Sequence, residues 1–279
     1  MNKKRTKIIV TLGPATNTER DLRKIRDKGV DFVRVNMSHS SLEDMEYFVK
    51  LSKKVGIPFI IDTEGSQIRT GHLEGGVLYF KENDVVKIYA KDIPGDRKKL
   101  CLRPGYVIEQ LEVGDLIHID FDTLILRVTD VSTASKGYIA GKAITGGLIG
   151  SNKAVVIHPI FEKKFQLPPL SPKDYQSIEL GLKEGIDHIA VSFVRSGAAI
   201  DEVRNVTQNK MKIISKVECV DALEHINEII QKSDFILIDR GDLSKEVPIE
   251  KIPFTQKVII DKARRYNTGV LWPPTCWKR

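Results

Sequence analysis

Lys216 and Glu218 stand two residues apart at the end of an apolar run, and Arg34, Asn36 and Ser38 are spaced the same way after another. Residues two apart on an extended strand project from one face, so each set aims its polar groups together. Asp62 and Thr63 end a third apolar run, and Asp242 follows Arg240 and Gly241 after a fourth. An arginine, a lysine, two carboxylates and small hydroxyls converging on one mouth suit a doubly charged phosphate and a hard cation. A single aspartate after a strand usually caps the next helix, and a single lysine is usually a solvated charge. Six or more such residues at corresponding points of successive units are harder to explain that way.

The elements that must hold these residues read as alternating strands and helices. Lys7 to Thr11 is an apolar strand stopped by Gly13-Pro14, and Thr18 caps a helix with Leu22, Ile25 and Val30 along its stripe. Asp31 to Asn36 is the next strand. Ser41 caps a second helix, closed by Gly56, and Pro58 to Ile61 is a third strand. After about Thr70 the rhythm changes to short alternating runs separated by glycine and charged turns, from Leu78 to Val156, which predicts an all-β insertion. Beyond Leu167-Pro168-Pro169 the first rhythm returns. Strands are expected at His188–Phe193, Lys212–Lys216, Phe235–Ile238 and Gly269–Leu271. Helices are expected from Ser171 to Leu182, over Ala198–Thr207, over Val220–Gln231 and over Ile252–Arg264. Strands alternating with helices mean a doubly wound sheet or a β/α barrel, whose active sites lie at the C-terminal strand ends.

Bulk properties set the bounds. The 279 residues are 41% hydrophobic and 29% charged, the balance of a soluble globular protein. No run approaches the roughly 18 apolar residues of a membrane span, and no signal-peptide pattern follows Met1, so the cytoplasm is the expected compartment. Three scattered cysteines, Cys101, Cys219 and Cys276, fit reduced thiols. The net charge of +7 is spread among acids with no nucleic-acid signature, so a positive field for an anionic substrate is the better use of it.

Five segments together resemble the pyruvate kinase family in order and spacing: Thr11-Leu12-Gly13-Pro14, Arg34-Val35-Asn36-Met37-Ser38-His39, Asp62 to Thr70, Ile214-Ser215-Lys216-Val217-Glu218 and Arg240-Gly241-Asp242-Leu243. Val191-Ser192-Phe193-Val194-Arg195 is similar to a sixth. The resemblance implies a TIM-type (β/α) barrel over residues 1–70 and 167–279, with an inserted β-barrel lid domain over 71–166. It implies phosphoryl transfer from phosphoenolpyruvate to ADP, giving pyruvate and ATP. By the same resemblance Lys216 and Arg34 are catalytic, and Glu218 and Asp242 hold Mg²⁺ or Mn²⁺. Asn36, Ser38, Asp62 and Thr63 match K⁺ ligands, and Arg34, Asn36, His39, Arg69 and Gly241 match substrate or nucleotide positions. A homo-oligomer is expected of the full-length family, with neither nucleic acid nor membrane as partner.

Several positions depart from the family pattern. Glu64 stands where lysine is usual, Ser66-Gln67 replaces Pro-Glu and leaves K⁺ dependence open, Asp239 replaces alanine, and Ser244-Lys245 replaces Gly-Val. Two extra acids near the metal are expected to weaken phosphate binding or raise a neighbouring carboxylate's pKa. Val155 to Pro159 stands where a glycine-containing hinge is usual. The tail Trp272 to Arg279 replaces the expected Ala-Thr-Gln-Met-Leu-Glu-Ser, which a one-base shift of its codons restores, so a frameshift is expected. Without the insertion the chain falls short of the roughly 250 residues of a β/α barrel. The expectation is a barrel incomplete after Leu271, with open strand edges and little kinase activity. The alternatives are a phosphoenolpyruvate- or metal-binding derivative without turnover, and a metal-dependent lyase on the same barrel.

Overall fold

A computed structural model describes residues 7–163 and 165–271. The tail from Trp272, with Cys276 and the expected frameshift, lies outside the described residues. The chain divides into two compact units, one of Met1–Ser66 with Pro168–Arg279 and the other of Gln67–Leu167.

The first unit is built on seven parallel strands that neighbour one another in chain order: β1 (Ile9–Thr11), β2 (Phe32–Asn36), β3 (Phe59–Asp62), β4 (His188–Val191), β5 (Lys212–Val217), β6 (Phe235–Ile238) and β7 (Gly269–Leu271). Helices return the chain between them: α1 (Glu19–Asp27), α2 (Leu42–Val55), α3 (Pro172–Lys183), α4 (Gly197–Val206), α5 (Val220–Glu224), α6 (Ile226–Lys232), α7 (Arg240–Leu243) and α8 (Ile252–Arg265). Their starts are encoded locally. Thr18 accepts from the Asp21 N–H, while Ser41 with Asp44 and Ser171 with Asp174 form reciprocal capping boxes. Gly56 ends α2 in the left-handed region, at φ +77°. The single helix expected over 220–231 is interrupted at His225, whose φ of −99° and ψ of 15° fit neither α5 nor α6.

Both faces of this sheet are covered, which is why its strands read as near-continuous apolar runs. One face carries Val33, Val35, Ile61, Ile189, Ile213 and Ile236 into the main core with the helices. The opposite face holds a smaller cluster, Ile60, Ala190, Ile214 and Leu237, with Ile9, Phe32, Phe235 and Leu271 packed against it. Two residues further along the same face come the polar positions. Asp62 follows Ile60, Ser192 follows Ala190 and Lys216 follows Ile214. An apolar floor therefore lies beneath the ionisable groups at the carboxyl ends of the strands.

The second unit is a closed barrel of seven strands, in the order Tyr138–Thr145, Val85–Tyr89, Lys99–Arg103, Ile68–Thr70, Ala154–His158, Leu116–Ile119 and Leu124–Asp130. Ile68–Thr70, which the sequence placed with the first segment, pairs with Lys99–Arg103 and Ala154–His158 in this barrel. Closure leaves no free edge, and alternate residues such as Ile88, Ile117, Leu126 and Ile139 fill the interior. Val77–Phe80 pairs separately with Gly147–Gly150. Cys101 and Cys219 are buried free thiols. No helix among the described residues is long and apolar enough to cross a membrane.

Candidate active site

Lys216 is the centre of the polar layer in the first unit. It lies on β5 with its side chain 5% exposed, and its Nζ donates to Ser192 Oγ at 3.0 Å. The same nitrogen lies 3.2 Å from Asp62 Oδ1 and 3.0 Å from Glu218 Oε1. Burial disfavours the charged ammonium, but the two carboxylates outweigh it and raise the Lys216 pKa above the ordinary lysine value. The group is therefore a permanent cation held by three oxygens.

Arg34 on β2 approaches the same carboxylate from the other side, with Nη1 3.1 Å from Asp62 Oδ2 and Nε donating to Thr11 Oγ1 at 2.7 Å. Asp62 is fully buried, and its Oδ2 has no hydrogen bond of good geometry despite that ionic contact. Thr63 is also buried and accepts from the Ser192 N–H at 3.0 Å. Asn36 ends β2, and its Oδ1 accepts the Ser38 N–H at 2.9 Å. Ser38 therefore sits in a turn beyond the strand, so the two-residue alternation expected from the sequence stops at Asn36. His39 follows on the exposed surface. Arg69 belongs to the second unit, where it donates to the Asn152 carbonyl at 3.0 Å.

Glu218, just past β5, is fully buried. Its Oε2 accepts the Phe193 N–H at 2.8 Å, and its Oε1 makes no well-aligned hydrogen bond. Phe193 takes a left-handed φ of +51°, a costly conformation for a residue with a side chain, and this turn of the backbone aims the N–H at Glu218. Oxygens of Glu218, Asp239 and Asp242 all lie within 4.8 Å of one another. Burial first, then the like charges of Asp242 and Asp239, pushes the Glu218 pKa up to about 7, against the pull of Lys216. Asp242 pairs with Lys245 at the end of α7. Gly241 N–H donates to Asp239 Oδ1 at 3.1 Å, so Asp239 caps α7 while standing in the acidic group.

The two extra acids noted in the sequence separate here. Asp239 joins Glu218 and Asp242, as its position after β6 suggested. Glu64 does not: its carboxylate lies 3.1 Å from Lys173 Nζ and accepts from Ser171 Oγ at 2.8 Å. A nearby ammonium neutralises it, so only one of the two acids adds charge to the group. Ser192 was not singled out from sequence. It bridges Lys216, Asp62 and the Thr63 carbonyl, to which it donates at 2.7 Å. The available signal was a hydroxyl directly after the fully buried run His188–Val191.

The loop after β3 is tied down by Asp174. This buried carboxylate accepts backbone N–H groups of Glu64 at 2.8 Å, Gly65 at 3.0 Å and Ser171 at 2.9 Å. Gly65 has φ +68°, and a Cβ there would meet the Ser192 carbonyl oxygen at 2.4 Å, so the loop passes β4 at glycine contact. Burial raises the Asp174 pKa in spite of these three bonds. Asp174→Ala should cost about 3 kcal/mol, because it strands three partly buried donors at once. Urea unfolding checks this, and a loss below about 1 kcal/mol would show that the bonds are replaced by water.

The donor set is composed of hard oxygens. That oxygen chemistry, rather than any unpartnered atom, fits hard cations better than thiophilic metals, since Asp62 Oδ2 and Glu218 Oε1 are each already paired with a cationic side chain.

Comparison with known proteins identifies the family. The family model described as pyruvate kinase, barrel domain, matches residues 3–273. The chain is 30% identical over 279 residues to a pyruvate kinase of Geobacillus stearothermophilus and 28% identical over 277 residues to one of Staphylococcus aureus. Each match covers 96% of this chain but 47% of the relative, so the chain spans about half the length of these curated relatives. It also superposes on a crystal structure of a pyruvate kinase from Cryptosporidium parvum, with a TM-score of 0.80, 28% identity and coverage of 96% of this chain and 57% of that one. The chain belongs to the pyruvate kinase family.

Proposed function

We propose that the site serves phosphoryl transfer from phosphoenolpyruvate to ADP, giving pyruvate and ATP. The observation that carries this reading is Lys216, an ammonium buried at the strand ends and fixed by Asp62, Glu218 and Ser192. Phosphoryl transfer needs little covalent help from a protein; it is accelerated by fixed charges aimed where charge develops. Lys216 neutralises the oxygens of the phosphoryl group in flight, and its carboxylate partners keep it protonated throughout the neutral range. Arg34, braced by Thr11 and Asp62, grips the same group.

Glu218 and Asp242 are the residues that would hold Mg²⁺ or Mn²⁺, and Asn36, Ser38, Asp62 and Thr63 those that would hold K⁺. The divalent ion, when bound, supplies Lewis-acid polarisation of the enolate oxygen. Asn36 and His39 contribute to the nucleotide side, and Gly241 to substrate or nucleotide binding. The same reading takes the parallel strands as a TIM-type (β/α) barrel, residues 71–166 as its inserted lid, and the cytoplasm as its setting.

One observation favours a second reading, a phosphoenolpyruvate- or metal-binding derivative without turnover: Lys245 already pairs with the proposed ligand Asp242. A single set of assays separates the readings. ADP-dependent pyruvate formation from phosphoenolpyruvate and Mg²⁺, followed with lactate dehydrogenase, supports the first. Calorimetric binding of phosphoenolpyruvate without ADP-dependent product supports the second. Absence of both binding and product overturns the two together.

A further inference from the structure

The acidic group of the first unit contains a cation of its own. Glu218, Asp239 and Asp242 bring oxygens within 4.8 Å of one another, an arrangement that like-charge repulsion opposes. Lys216 offsets part of this at Glu218. At the other side Lys245 Nζ contacts Asp242 Oδ1, and the two side chains are only 15% and 28% exposed. The pair is not a solvated surface bridge. Lys245 comes one turn after Asp242 and its own N–H donates to the Asp242 carbonyl at 3.0 Å, so the backbone of α7 delivers the ammonium to that carboxylate. Glu218 is fully buried, and its Oε1 is already held 3.0 Å from the Lys216 ammonium.

We infer that Lys245 is a tethered counter-ion, held on Asp242 until a divalent ion displaces it, and that it thereby sets the site's affinity for that ion. The inference rests on the metal reading proposed above. An ammonium and a divalent ion cannot share one carboxylate oxygen at contact distance without strong repulsion. The ammonium carries one charge on a four-carbon flexible stem, so it can swing to solvent when a doubly charged ion arrives. Being tethered, it competes at an effective concentration in the millimolar range, whatever the salt outside. Asp239 strengthens the field that both cations feel, while its Oδ1 stays engaged with the N–H groups of Gly241 and Asp242. The chain thus trades metal affinity for a site whose negative charge is partly offset when metal-free.

Mn²⁺ titrations of the whole chain, by calorimetry or by the electron paramagnetic resonance of the free ion, test this. Lys245→Met should bind Mn²⁺ about 10-fold tighter than wild type, a change of about 1.4 kcal/mol. Lys245→Arg, which keeps the charge, should stay near the wild-type value. Loss of Mn²⁺ binding in Asp242→Asn without a gain in Lys245→Met overturns the counter-ion inference alone. An equal gain in Lys245→Arg and Lys245→Met overturns it too, because packing would then be the cause. Equal binding by wild type and Asp242→Asn overturns the metal reading beneath it. A second measurement needs no variant: acetylation of Lys245 by an N-hydroxysuccinimide ester, followed by mass spectrometry, should be several-fold faster with Mn²⁺ than without. An unchanged or slower rate overturns the displacement.

Discussion

Lys216→Met is expected to cost the chain about 3–5 kcal/mol at neutral pH and, on the proposed function, to lower phosphoenolpyruvate-dependent turnover by roughly 1000-fold. Removing one member of a buried ionic set leaves the others without compensation, which is where the stability cost arises. Asp62 and Glu218, both fully buried, would lose the ammonium that now lies within 3.2 Å of each. The Lys216 pKa is raised by the fold, so its contribution is fully present below the ordinary lysine value and is lost only as pH climbs through the folded value. The variant should therefore be less stable across the whole neutral range, and urea midpoints at pH 6 and pH 8 measure this. The kinetic loss follows from removing a preorganised charge, for which about 10²–10³ is usual for one donor. A stability loss with no change in turnover or in phosphoenolpyruvate affinity would reduce Lys216 to a structural residue.

Glu218→Gln should behave in the opposite sense for stability while, on the proposed metal reading, destroying divalent-ion binding. The folded chain raises the Glu218 pKa from 4.5 to about 7, through burial and the neighbouring Asp242 and Asp239. Below pH 4.5 the carboxyl is neutral in both states and exacts nothing. Between there and about 7 the unfolded chain ionises while the fold retains its proton, so stability falls as pH rises. Above 7 the loss is complete, on the order of 3 kcal/mol. Glutamine keeps an oxygen for the Phe193 N–H and carries no charge. The metal-free variant should therefore be more stable than wild type at pH 8, with a flatter pH profile. Its Mn²⁺ affinity should drop by more than about 100-fold, beyond what loss of a supporting partner costs. With Mn²⁺ present the order of melting temperatures should reverse, since the ion stabilises only the chain that binds it. A variant that melts below wild type at pH 8 without metal would contradict the repulsion inferred for this group.

Much of the fold is legible because its signals are local. Capping serines at 41 and 171, the left-handed glycine at 56 and the apolar strands each require only their neighbours to be understood. The same holds for Lys216 and Glu218, which period two places together. What escaped was set by tertiary approach. Ser192 gains its role because β4 runs between β3 and β5, and nothing in the letters around it encodes the contact with Lys216. Glu64 looks like a charge added to the site until α3 brings Lys173 and Ser171 against it. Ser38 fits the alternation on paper, but the Asn36 side chain captures its N–H and ends the strand first. Charge neutralisation between residues more than a hundred positions apart is invisible to any reading by spacing.

The floor of Ile60, Ala190, Ile214 and Leu237 under the ionised layer bears on how such a chain can diversify. Apolar packing is tolerant of volume-conserving exchange, whereas a buried ion set is not. Along each inward-facing strand, inherited variation should be permissive at one height and forbidding two residues later. New chemistry would then arise at the rim, through single edits such as an acid at 239 or a base at 245, without the foundation having to be rebuilt.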